Sequence, residues 1–196
     1  MDAHFVTFYE DDSLLLRQVS HFIEAGLRAG ESCVVIATAP HRAAIEDHLV
    51  EQGLYHHPQD TQRVWYRALD AQDTMAKYMV RGMPDERRFM QVIEPVLRGA
   101  SRNGTRRVRA FGEMVALALE DGKREAAIRV EQLWNELGEK HRFSLLCAYP
   151  TGKASKMKDE KAFSRICAQH SHTVPSVEKW TDGLLAGVPN ADSRTI

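Results

Sequence analysis

Cysteine is scarce. The three residues, Cys33, Cys147 and Cys167, are odd in number and far apart, which argues against a disulfide framework and against a CxxC metal site. They read as reduced core thiols of a cytosolic protein. Net charge is almost absent as well, with 26 basic against 27 acidic side chains, so no overall field draws the chain to nucleic acid or an anionic membrane. No apolar run approaches the roughly 18 residues of a membrane span, and the opening MDAHFVTFYEDD carries acids where a secretory signal needs positive charge. The expectation is a cytoplasmic protein without direct nucleic-acid or membrane contact. Chemistry motifs are missing too: no GK[ST] phosphate loop, no GxGxxG, no GxSxG elbow and no HExxH zinc helix. The first turn, Tyr9-Glu10-Asp11-Asp12-Ser13, has no glycine and three carboxylates, which would repel a triphosphate.

What is present is alternation. His4 to Tyr9 predicts a short strand, and Leu15, Leu16, Val19, Phe22, Ile23 and Leu27 recur at helical spacing behind a cap at Asp12 or Ser13. SCVVIAT, residues 32–38, is a continuous apolar run of the kind covered on both faces, and Pro40 suits the first turn of the helix that follows. Arg63 to Ala68 predicts an edge strand; Asp70 then caps a helix with Met75, Met79 and Val80 inside, stopped at Gly82. Another helix begins near Pro84, with Pro95 placed to kink or split it. RRVRAFGEM, residues 106–114, is a buried strand ending in Gly112 and Glu113. A helix from Gly122 places Trp134 in the core, with Arg129, Glu131, Gln132 and Glu136 on its polar face. FSLLCAY, residues 143–149, is the last central strand, followed by a Lys-rich loop. Five strands alternating with helices predict an α/β fold, a mostly parallel five-stranded central sheet with helices on both faces.

Ligand crevices in such folds form where loops leave the carboxyl ends of the strands. Glu113, at the end of its strand, is therefore the first candidate, with Tyr9, Glu10, Thr38 and Tyr149 at other strand ends and Arg109 two residues before Phe111. An alternative stays open, in which Gly112 turns the chain and Glu113 only caps the next helix. His4 reads as a hydrogen-bonded core histidine. Cys167, His170 and His172 could converge on a metal but lack a clear fourth ligand, so no metal and no cofactor are expected.

HFVTFYEDD, FIEAGLRAGESCVVIAT, RVRAFGEM, AAIRVEQLWNEL, FSLLCAYP and ICAQHSHTVP together resemble the MEDS domain, the sensory domain named for methanogens, methylotrophs and the dichloromethane-responsive regulator. The likeness runs in register from about His4 to Pro175, giving a sensory domain over 1–175 and a tail over 176–196. It implies a RecA-like, KaiC-like three-layer sandwich without the phosphate loop, sensing small organic molecules and usually joined to an output domain. Matched in register, the family's functional candidates fall on His4, Tyr9, Glu10, Gly112, Glu113, His170 and His172. No output domain is expected here, so relay would go to a signalling partner in trans or through a homo-oligomer. The expected function is a sensor, not an enzyme, that binds a small organic ligand in transcriptional or two-component signalling. Its rivals are a small-molecule enzyme using Glu/His acid-base chemistry and a ligand-free interaction regulator.

Overall fold

Apolar runs too uniform for a half-exposed sheet require cover on both faces. The computed structural model describes residues 1–55, 65–151 and 160–174. In chain order its elements are β1 (Ala3–Tyr9), α1 (Asp12–Arg28), β2 (Ser32–Ala37), α2 (Ala39–Glu51), β3 (Tyr66–Asp70), α3 (Ala71–Tyr78), β4 (Met79–Val80), β5 (Met83–Pro84), α4 (Glu86–Ala100), β6 (Val108–Gly112), α5 (Met114–Glu120), α6 (Arg124–Lys140), β7 (Ser144–Pro150), α7 (Glu160–Cys167) and β8 (His172–Val174). The main sheet has the order β3-β2-β6-β7-β1-β8, parallel throughout. Its first five strands are the predicted ones, with β3 at the edge as expected; β8 extends the sheet past β1. Helices α1 and α2 cover one face with Leu15, Val19, Phe22, Ile23, Ile45 and Leu49. Helices α3 to α6 cover the other with Tyr78, Phe89, Ile93, Met114, Leu133 and Trp134. Each such side chain stabilises the fold by roughly 1.5–3 kcal/mol relative to exposure.

Several boundaries differ from the sequence reading for local reasons. Asp11, not Asp12 or Ser13, caps α1, because its Oδ1 accepts from Leu14 N at 2.9 Å. The helix after Asp70 stops at Tyr78, and Met79 and Val80 turn back onto Met83 and Pro84 through Arg81 and Gly82 at φ 50° and 83°. Two successive positive φ angles are what a tight two-residue hairpin needs. Helix α4 accordingly starts at Glu86 behind an Asp85 cap rather than at Pro84, and Pro95 does not split it. Both Pro95 and Gln91, whose carbonyl loses its helical donor, are exposed, so water can satisfy the orphaned oxygen. Arg63, Val64, the Lys-rich loop from Lys153 to Lys158 and the tail over 176–196 lie outside the described residues.

Adjacent parallel strands that send their chains to opposite faces leave a gap between the departing loops. Strands β2 and β6 do this, pairing Ile36 with Gly112, after which α2 packs on one face and α5 on the other. The two chains part at the carboxyl ends of these strands, at Thr38 and Glu113.

Candidate functional site

Glu113 occupies the N-cap position of α5, yet its side chain makes no capping bond to that helix. Its backbone N–H is tied to Ile36 O at 2.9 Å, which turns the carboxylate across the gap. There Oε2 accepts from Thr38 N at 2.6 Å and Oε1 pairs closely with His41 Nδ1. The open alternative of a simple helix cap is therefore not what the side chain does. A carboxylate at the start of α2 also meets the positive end of that helix. His41 continues outward to Asp12, with Nε2 3.7 Å from Oδ2. The chain Glu113, His41, Asp12 runs from a side chain 4% exposed to one 74% exposed, a path from core to solvent. The Glu113 hydrogen bond raises the His41 pKa, opposed by burial and reinforced by the charges of Glu113 and Asp12.

Tyr9 belongs to the same end of the sheet. Burial first, and then the carboxylates of Glu113, Glu120 and Asp12, hold its phenol far above its ordinary value, so it stays neutral. The chains that leave β2 and β3 also go to opposite faces, and Arg42 of α2 reaches Asp70 at 3.0 Å while its buried Nε has no acceptor. The predicted residues Tyr9, Thr38, Gly112 and Glu113 thus lie together at the carboxyl ends of β1, β2 and β6. Glu10 is exposed, and the acid that reaches the site is Asp12.

Tyr149 and His170 do not join this crevice. Side chains alternate along β7, so Tyr149 and Cys147 face α6 while Leu146 and Ala148 face α1 and α2. Glu131, read from the sequence as a surface residue, is 0% exposed on α6. Tyr149 OH donates to its Oε1, His4 Nε2 lies 3.2 Å from Oε2, and His170 Nε2 lies 3.3 Å from Oε1. Burial would raise the Glu131 pKa, but the bonds from His170 and His4 outweigh it and the carboxyl is held well below its usual range. The Cys167-His170-His172 run does not converge: His170 turns inward to Glu131, whereas His172 is exposed, 2.8 Å from Ser171 Oγ and stacked near Phe5. Arg109 points away from Glu113, pairing with Glu31 and donating to Phe22 O at 3.2 Å. Trp134 is core, edge-on to Phe89 at 5.5 Å.

A cleft of ≈ 490 Å³ lies at the other end of the sheet, lined by Arg98, Arg106, Arg107, Lys140 and Arg142 around Val108. Its size suits a ligand, but its walls are largely exposed loop and helix-end cations rather than converging acid and base. The carboxyl-end crevice holds the perturbed histidine and the buried carboxylate, and on that chemistry it is the stronger site.

Fold and site together define an α/β crevice domain furnished with a carboxylate–imidazole pair. The sequence profile of the MEDS family, the methanogen/methylotroph, DcmR sensory domain, matches residues 3–170, and the chain belongs to that family. MEDS domains are sensory domains, which supports a signal-sensing role. No curated protein matches the chain. Among the described residues no helix is long and apolar enough to cross a membrane.

The sequence reading missed His41, Asp12 as a site acid, and Glu131. A histidine in the first turn of the helix that follows a buried strand, here after Pro40, is a signal that could have found His41. For Glu131 the local signal is its helical spacing from Ala127, Ile128 and Trp134, at the edge of the apolar face of α6.

Proposed function

We propose that this domain senses a small organic molecule at the carboxyl ends of β1, β2 and β6 and relays its state to a partner protein or a second copy of itself. One observation carries the reading: Glu113 at the start of α5 and His41 in the first turn of α2, on segments that leave adjacent strands toward opposite faces, are bonded to each other at the switch point where such folds take ligands. A ligand that offers Glu113 a donor competes with His41, and its arrival changes the contact between α2 and the start of α5. The orphaned Arg42 Nε beside the crevice supplies a donor for a ligand carbonyl, hydroxyl or carboxylate. The relay surface we favour is α4, which packs on α3, α6 and β2 and carries Pro95 on its exposed side.

A second reading has its own observation. His41 between two carboxylates, with its pKa raised, has the form of an acid-base catalyst. A sensor returns its ligand unchanged; an enzyme does not. Mass spectrometry of small molecules released from the natively purified protein, repeated on Glu113→Gln, tests the proposal. A stoichiometric organic molecule, lost in Glu113→Gln and recovered unaltered after incubation, is the expected result. A molecule retained equally by both proteins would remove Glu113 from the site, and one converted during incubation would favour the enzyme.

A further inference from the structure

The buried cluster around Glu131 is independent of the crevice. His4 on β1, Cys147 on β7, Glu131 on α6 and His170 after α7 place one nitrogen, sulfur or oxygen each within 4.8 Å of one another. His4, Cys147 and Glu131 are at most 2% exposed and the His170 side chain is fully covered.

Hydrogen bonds at the rim fix which nitrogens carry protons. Asn135 Nδ2 donates to Gln169 O at 2.9 Å, which orients its amide so that Oδ1 faces His4 Nδ1, also at 2.9 Å. His170 Nδ1 faces the carbonyl of Ile166 at 2.7 Å. Both rings must donate from Nδ1, so a neutral ring at either position aims an Nε2 lone pair inward. Those Nε2 atoms face the Glu131 carboxylate, His4 at 3.2 Å from Oε2 and His170 at 3.3 Å from Oε1. Two arrangements satisfy the cluster: protons on the rings, making each Nε2 a donor to Glu131, or one cation held among the four groups. Imidazoles oriented by an outer carbonyl are also the usual form of metal-binding histidines.

We propose that His4, Glu131, Cys147 and His170 form a closed site for a divalent transition ion of the zinc class. Four ligands at zinc–nitrogen, zinc–oxygen and zinc–sulfur distances stand about 3.3–3.6 Å apart along the edges of a tetrahedron. His4 Nε2 lies 3.2 Å from Glu131 Oε2 and Cys147 Sγ lies 3.5 Å from both of these atoms, close to three such edges; His170 Nε2 lies 3.3 Å from the other oxygen, Oε1, and a small turn of the carboxylate or ring would complete the set, since all four groups stand within 4.8 Å of one another. Binding displaces the Cys147 proton to solvent, and one thiolate with one carboxylate neutralises the ion. A sulfur and two imidazoles select zinc or iron(II) over magnesium and calcium. With four protein ligands and no exposure, the site is structural: it clips the segment after α7 to β1, α6 and β7.

Cobalt(II) titration of the metal-stripped full-length protein tests it. The expected result is one equivalent bound, with thiolate-to-cobalt charge transfer and the intense visible bands of tetrahedral cobalt, displaced by zinc. Cys147→Ser should lose the charge-transfer band and Cys167→Ser should keep it. If Cys147→Ser does not fold, His170→Gln takes its place and should weaken cobalt binding by more than the about 10–100-fold that loss of an outer partner costs. No charge-transfer band in the parent, its survival in Cys147→Ser, or unchanged affinity in His170→Gln would each overturn the proposal.

Discussion

Replacing Glu113 by Gln keeps the shape of the side chain and removes its charge. The new amide oxygen can still accept from Thr38 N, which leaves the amide nitrogen facing His41 Nδ1. Protonated His41 has a donor there, so two donors oppose each other where a charge-assisted bond stood. Such bonds contribute about 1.5–3 kcal/mol, and with side chains only 16% and 4% exposed the His41–Glu113 pair keeps most of that against solvent screening. The raised His41 pKa sets the pH window. Its stabilisation is fully present below the unfolded value, about 6.5, and is lost as pH rises through the higher folded value. The parent should therefore exceed Glu113→Gln by about 2 kcal/mol at about pH 5.5 and by about 1 kcal/mol or less at about pH 8.5. Urea denaturation of both proteins at both pH values measures the gap, and an NMR titration of the His41 ring measures its cause. Equal gaps at the two pH values, or a His41 that titrates alike in both proteins, would refute the coupling.

Mg-ATP should show no heat of binding in calorimetry, because Asp11 already caps α1 with its own carboxylate and Asp12 adds charge beside it; micromolar affinity would contradict this. Hydrogen exchange across residues 84–100 should change when the recovered small molecule is added, most at the turn that ends in Pro95. Uniform protection in both states would exclude α4 as the relay. Gly26→Ala should destabilise the protein by about 1–3 kcal/mol despite better helix propensity, because the new methyl would meet Arg109 Cδ at 2.7 Å and Cys33 Sγ at 2.9 Å. A melting temperature at or above the parent's would show that these neighbours move aside.

The strands and helices were legible because burial writes a period into the chain: β2 and β6 are buried at every position, and the inner faces of α1 and α6 recur at helical spacing. Glu113 was legible for the same reason, as the acid that follows a buried strand. What failed was anything that needs strand order or face. Tyr149 stands at a carboxyl end like Tyr9, but Gly112 pairs with Cys147 and Phe111 with Leu146, and that parity puts Tyr149 on the face of Cys147, away from Tyr9 and Phe111. A shift of one residue in register would reverse the assignment. Glu131 failed differently. Its face neighbours Ala127, Ile128 and Trp134 are buried, so its spacing places it at the edge of the apolar stripe, and only its charge put it with the polar face. It is buried because His4 and His170 arrive from near the two ends of the matched region to meet it. A buried charge is tolerated only with such partners, and partners supplied by distant segments leave no local trace. The acid that residue type sends to water is thus the one that spacing and distant partners together bury.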